Sequence, residues 1–387
     1  MHPTKPDASL DQFRAAVMAD PAAQQVLAEQ DISAEFAARA CAFAAERGIA
    51  LDPGIFLRQD APDPLGIHRY APAPQGGYDW PGAAWLPVQL APDDLFKVDW
   101  LHFAGLKPDH AFFDDSIRRV VSRPFNRFFR YRTPLESFVD PARAALPLPR
   151  GLIFHMSRCG STLVSQMLGA APGNAVLSEA APFDSLLQLP VKPQHHSSAL
   201  RSMAAALGRG HANYFLKTDA WHILQMPLLR EAFPKVPWIF LYRDPVEVLV
   251  SHARMPSRYV VPDAVSQMHG LADTGGIDHV ARGLALLCEA AVRHHADGGL
   301  LVHYRELPDA LFTRILPHFG IEPTPEDRAL MAQAAQRDAK TPAKSFSPDS
   351  AEKRKEATDA VREAARHLAP AYAKLEAIRA ASPPAAV

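Results

Sequence analysis

Arg158, Gly160, Ser161 and Thr162 stand close together in GLIFHMSRCGSTLVSQML, residues 151–168. A guanidinium, a residue without a side chain and two adjacent hydroxyls are equipment for holding an anion, most often a phosphate. Leu152, Ile153 and Phe154 form a short apolar run before them, which predicts a buried parallel strand. Ser161-Thr162 then opens an amphipathic helix with Leu163, Met167 and Leu168 on one side. Strand, turn and helix in that order aim backbone N–H groups and the positive end of a helix dipole at one spot. An ATPase loop needs a glycine, four intervening residues and then Gly-Lys-Ser/Thr. Here Gly160 is followed by Ser161 and the lysine is missing. Taken alone, the stretch has a second reading, an ordinary strand-to-helix turn that binds nothing.

Other residues able to do chemistry follow further apolar runs. Glu179 comes after Ala175-Val176-Leu177, Lys217 ends Tyr214-Phe215-Leu216, Arg243 follows Trp238–Tyr242, and Arg305 follows Leu300–Tyr304. From residue 151 to about 320 such runs alternate with helical patterns. That alternation predicts a parallel sheet with helices on both faces. Ligands of such sheets sit at the carboxyl ends of the strands, where all of these residues fall. Arg243 offers a bidentate fork to a phosphate, or else pairs with Asp244 or Glu247. Lys217 is a second cation or a plain surface charge. Glu179 is a candidate general base, or a helix-start carboxylate favoured by the dipole. His222 is the alternative base, against an ordinary surface or packing role. Cys159, at a helix start, is placed where a thiol pKa can be lowered, but it has no partner as a nucleophile and reads as a replacement for serine.

Three segments position these residues. Residues 1–58 read as a small all-α domain: Asp20-Pro21 is a cap followed by proline at the first helical position, Ser33 is a further cap, and Gly48 ends a helix. Residues 59–147 are a Pro- and aromatic-rich linker or cap, with helices expected at Asp93–Phe103 and Phe112–Val121. In it Arg123, Arg127, Arg130 and Arg132 alternate with Phe125, Phe128, Phe129 and Tyr131, either a lid or acceptor-binding surface, or a solvated helix face with its aromatics in the core. Residues 148–380 form the α/β domain. The net charge of −1 over 387 residues argues against a nucleic-acid partner. No apolar run is long enough for a bilayer, and MHPTKPDASLDQF has no signal-peptide core. Three scattered cysteines exclude a disulfide framework and fit a reducing cytoplasm.

FHMSRCGSTLVSQML and FPKVPWIFLYRDPVEVLVSH, about eighty residues apart, together resemble the P-loop sulfotransferase superfamily, bacterial type. The resemblance covers roughly residues 148–310. It implies that Arg158, Cys159 (where the family has serine), Gly160, Ser161 and Thr162 hold the 5′-phosphosulfate of 3′-phosphoadenosine-5′-phosphosulfate (PAPS). Arg243 and Ser251 match the pair that binds the 3′-phosphate. LLVHYREL, with Tyr304, and FLKTDAWHI, with Lys217 and His222, are weaker matches. The family's late glycine-rich basic loop is missing, and Lys344, Lys353 and Arg354 resemble a substitute for it. The resemblance also implies Glu179 as a catalytic residue beside Lys217 and Arg158, and PAPS as co-substrate without a metal. Residues 1–58 resemble a Nif11-like domain on Phe13, Asp20-Pro21, Leu27, Asp31, Phe36, Gly48-Ile49 and Leu51, which implies a module recognising a peptide or maturation partner.

The expected activity is therefore sulfonate transfer to a small-molecule or peptide acceptor, in the cytoplasm, with neither membrane nor nucleic acid involved. Two other classes stand beside it. One is a P-loop kinase or NTPase, disfavoured by the missing lysine and by Arg243 where a Mg²⁺-binding Asp belongs. The other is a noncatalytic peptide- or nucleotide-binding protein.

Overall fold

The computed structural model describes residues 8–57, 76–108, 110–189, 193–255, 271, 275–337 and 349–381. The chain divides into two compact units, Met1–Leu146 with Ala180–Gly210, and Pro147–Glu179 with His211–Val387.

The first unit begins with four helices, Ala8–Met18, Pro21–Ala28, Ser33–Ala45 and Gly54–Leu57. Asp20 caps the second: its carboxylate accepts from the N–H groups of Ala22 and Ala23, and Pro21 opens the first turn. Ser33 is not a cap but the first helical residue, after Ile32. Phe13, Leu27, Phe36 and Phe56 are buried. They meet the aromatic segment expected from the sequence: Phe36 stacks on Phe128 at 5.8 Å and Phe13 lies 5.7 Å from Phe129.

An antiparallel sheet follows in the order β1 (Trp85–Ala91), β2 (Asp94–His102), β3 (Tyr131–Pro134). This corrects the helix expected over Asp93–Phe103. The charged residues there mimic a helical surface, but Val98, Trp100 and Leu101 are wholly buried between two neighbouring strands, a setting that favours β-branched and aromatic residues. The Trp100 indole donates to Thr133 Oγ1 across the pair, and the Trp85 indole donates to Gln24 in the helices. Residues 76–108 and 110–146 pack with these helices in one compact unit. The helices Ala181–Gln188 and Pro193–Leu207 belong to the same unit.

The second unit holds the parallel sheet, as the sequence predicts. Its strands are β4 (Gly151–His155), β5 (Asn174–Ser178), β6 (Asn213–Lys217), β7 (Trp238–Tyr242) and β8 (Gly299–His303), in the spatial order β5-β6-β4-β7-β8. β4, β5 and β7 are buried at every position, which explains their unbroken apolar sequences. After β4 the chain turns back towards β5; after β7 it continues outward to β8. The connections diverge between β4 and β7, so the crevice at their carboxyl ends is the topological switch point. The helix Ser161–Gly169 packs with Pro325–Ala334, while Pro245–Arg254, Gly276–His294, Asp359–Ala365 and Ala369–Ala381 pack among themselves. Among the described residues no helix is long and apolar enough to cross a membrane.

The last helix is tied to the sheet by polar groups. Tyr242 donates to Glu376 at 2.5 Å, Arg305 and Arg379 pair with the same carboxylate, and His303 Nε2 lies 3.1 Å from the Tyr372 hydroxyl. Burial pushes the His303 imidazole down to about 4, and it does the same to His102 in the first unit. A histidine whose folded pKa is depressed favours folding while neutral. The unfolded chain takes up the proton first, below the ordinary value of 6.5, and the stability is lost by the time the pH reaches the folded value near 4. Each of the two histidines should withdraw on the order of 3 kcal/mol of stability in denaturant unfolding between about pH 6.5 and about pH 4. His303→Gln should flatten part of that slope; an unchanged slope in the variant would remove His303 from the account.

Candidate anion-binding site

The candidate residues line the carboxyl rim of the second unit's sheet in strand order: Glu179 after β5, Lys217 at the end of β6, residues 155–160 at and after β4, Arg243 after β7 and Tyr304 after β8.

The loop after β4 is conformationally costly. Ser157 (φ 68°) and Arg158 (φ 51°) both adopt left-handed backbone, an arrangement L-residues reach at about 1–2 kcal/mol each. Gly160 follows at φ 89° and passes directly into the helix Ser161–Gly169. Strain of this kind is kept where surrounding contacts hold it, and clusters at ligand-binding sites. His155 is one holder, which sequence reading overlooked. It is buried; its Nδ1 accepts from the Ser157 N–H at 3.1 Å, so its Nε2 carries the proton and donates to Thr218 O at 3.1 Å. Burial, reinforced by the Lys217 charge, lowers its pKa and keeps the ring neutral.

Gly160 is required twice over. A Cβ there would stand 2.8 Å from the Tyr304 ring and 2.9 Å from Leu307, at a φ that penalises any side chain. Gly298 has a similar φ of 82° with nothing within 4 Å. Both alanine variants lose the backbone preference, but Gly160→Ala adds a clash; it should cost about 1–3 kcal/mol more than Gly298→Ala in denaturant unfolding. Equal costs would mean that the Tyr304 contact is slack.

Cys159 has no thiol chemistry at the loop. Its side chain is fully buried and its thiol donates to Leu241 O at 3.1 Å on β7. Burial pushes the thiol up to about 12 instead of down. The residue contributes its backbone to the loop and its sulfur to the core. Ser161 and Thr162 are nearly buried in the first turn of the helix. Arg158 reaches Met255, donating to its carbonyl at 3.2 Å.

Glu179 and Lys217, treated as separate candidates from sequence, are ion-pair partners. The register that sets Ser178 opposite Lys217 brings them together. Lys217 is 1% exposed, while the Glu179 side chain keeps 25%. Glu179 also lies 3.5 Å from His155 Nε2, and its backbone is left-handed, φ 56°. Burial raises the carboxyl, but the Lys217 charge and the His155 contact outweigh it and hold the group well below the usual carboxylate range. It is ionised at neutral pH. His222 is buried in the short 3₁₀ turn Ala220–Gln225 that follows β6.

Arg243 is 3% exposed and anchors the other side of the crevice. Its guanidinium donates to Glu247 at 2.7 Å, Asp349 at 2.7 Å and Ser350 Oγ at 3.1 Å, and lies 4.0 Å above the Tyr304 ring. Tyr304 therefore touches both halves of the site, Gly160 and Arg243. Lys353 pairs with Asp349 at 2.7 Å and Arg354 with Glu247 at 2.9 Å, so the distant basic segment does arrive beside Arg243. Ser251 lies in the last turn of the helix Pro245–Arg254. Lys344 lies outside the described residues. The Arg243–Glu247 pair was legible from its i,i+4 spacing; nothing in the local sequence signals Asp349. Among the described residues no cluster of three or more His, Cys, Asp or Glu side chains could hold a metal ion.

Residues 152–326 match the model of a family described as the Sulfotransferase family. No curated protein matches the chain. Solved structures similar to it include sulfotransferase STF9 from Mycobacterium avium, at 13% identity over 51% of this chain and 71% of that one, with a TM-score of 0.38. Sulfotransferase STF1 from Mycobacterium tuberculosis H37Rv is 14% identical over 51% and 75% of the two chains, with a TM-score of 0.35. The sulfotransferase domain from the Synechococcus PCC 7002 olefin synthase is 15% identical over 60% and 95%, with a TM-score of 0.36.

Proposed function

We propose that the chain is a sulfotransferase that moves a sulfonate group from PAPS to a hydroxyl or amine of a small-molecule or peptide acceptor. One observation carries the reading. The 157–162 loop and Arg243 flank a single switch-point crevice, are joined through Tyr304, and both lie inside the segment that matches the family model. Lys217 and Arg243 belong to strands two positions apart, about 10 Å at the usual strand spacing. That span exceeds one phosphate and suits a donor with anionic groups at both ends.

The residues fit such a donor. Gly160 lets Tyr304 and Leu307 close against the loop where a Cβ would clash, and Ser157, Arg158 and Gly160 hold it in left-handed backbone. Arg158 and the Cys159–Thr162 backbone hold the 5′-phosphate; Arg243 and Ser251, with Lys353 and Arg354 behind them, hold the 3′-phosphate. In the transfer the bond from sulfur to the phosphate oxygen breaks and its electron pair stays on the phosphate. A new bond forms from sulfur to the acceptor atom, whose proton passes to Glu179. The ionised state of Glu179 makes it able to accept that proton. Its pairing with Lys217 makes it a weak base until the ammonium turns to the charge growing on the phosphate; Lys217 thus links the two events. His155 keeps the carboxylate and the loop in register. A cytoplasmic setting is part of the proposal, in keeping with free Cys41, Cys159 and Cys288. So is recognition of a peptide by the Nif11-like helices.

The test is incubation with PAPS and pooled phenols, alcohols, amines and peptides, read by mass spectrometry. One acceptor should gain a single SO₃ with an equal amount of desulfonated donor (PAP) released, and Glu179→Gln should abolish both. Binding of PAP without transfer to any pool would replace the enzyme by a binding protein.

A further inference from the structure

Arg243 is held by two carboxylates of unequal standing. Glu247 sits on the helix that starts beside Arg243, its side chain is 3% exposed, and Arg354 holds its second oxygen. It has no route away. Asp349 comes from a segment more than a hundred residues distant in sequence and its side chain is 35% exposed. Its two oxygens stand 2.7 Å from Arg243 and 2.7 Å from Lys353, bridging two cations that are themselves 4% and 5% exposed at their side chains. Burying two cations together is unfavourable unless an anion lies between them. A phosphate offers oxygens at the same reach and a larger charge, and the Ser350 hydroxyl, 3.1 Å from Arg243, is at hand for one of them. Carboxylate and phosphate cannot share the place, because like charges at contact distance repel.

We propose that Asp349 is a displaceable internal ligand of the Arg243–Lys353 site, so that phosphate binding there is an exchange of one anion for another. The carboxylate keeps the cations together until the ligand arrives, and its departure leaves Arg243 and Lys353 to the incoming anion beside the Ser350 hydroxyl. That the entering group is the donor's 3′-phosphate rests on the function proposed above; the exchange itself does not.

Asp349→Asn removes the competing charge while keeping the shape. Calorimetric titration should show PAP binding about tenfold tighter than in the wild type, the size of one partly exposed charged contact. Unchanged or weaker binding in a folded variant would overturn the exchange. If neither protein binds PAP, inorganic phosphate decides, read by thermal shift. Stabilisation of the variant beyond the wild type would uphold the exchange and discard the donor; equal responses would discard both. Should Asp349→Asn fail to fold, Asp349→Ser is read in the same way.

Discussion

Arg243→Ala is expected to weaken PAP binding by at least a hundredfold. The guanidinium is buried, forked, held over Tyr304 and fixed by Glu247, so a phosphate meets it already oriented. Two charge-assisted hydrogen bonds at about 1.5–3 kcal/mol each give roughly a 10²–10⁴-fold loss. The fold should survive, because Glu247 keeps Arg354 at 2.9 Å as a partner and Lys353 keeps Asp349. A loss of stability of a few kcal/mol is expected from opening a buried ion cluster, and circular dichroism melting reports it separately. Arg243→Lys, which keeps the charge and loses the fork, should fall between the two. PAP affinity within threefold of wild type in a folded Arg243→Ala protein would remove the residue from the site.

The second large effect falls on turnover. Glu179→Gln should lower sulfonate transfer by about 10²–10⁴-fold while PAP affinity changes less than about threefold, since the side chain acts on the acceptor's proton. Lys217→Met should lower both. It also leaves the Glu179 carboxylate without the Lys217 charge, with His155 Nε2 at 3.5 Å, at a cost of about 3–5 kcal/mol. The double variant should be less destabilised than the sum of the singles, because each removes the same interaction. Strict additivity would mean that the pair is not coupled, and a Glu179→Gln enzyme with full turnover would move the base elsewhere, His222 being the first candidate.

The sheet was readable because β4, β5 and β7 are buried throughout and show as unbroken apolar runs, each ending in a polar residue at the rim. The loop was readable from its own residue types. What escaped depends on which strands lie side by side. The Glu179–Lys217 pair follows from the register between β5 and β6, and the Cys159 thiol is fixed by a carbonyl on β7. His155 matters through Ser157 and Thr218, one local and one on the neighbouring strand. β2 was misread because its exposed first half, Asp94–Lys97, hides a buried second half. Asp349 meets Arg243 across 106 residues of chain, a distance no motif spans.

The proposed function requires this crevice to bind a doubly phosphorylated nucleoside without the help of a metal. Calorimetric titration of the purified protein with PAP in the presence of a chelator, set against ATP with Mg²⁺, addresses it directly. Micromolar PAP binding is expected, unchanged by the chelator and abolished in Arg243→Ala, with ATP–Mg²⁺ much weaker. No PAP binding, or a preference for ATP–Mg²⁺, would contradict it.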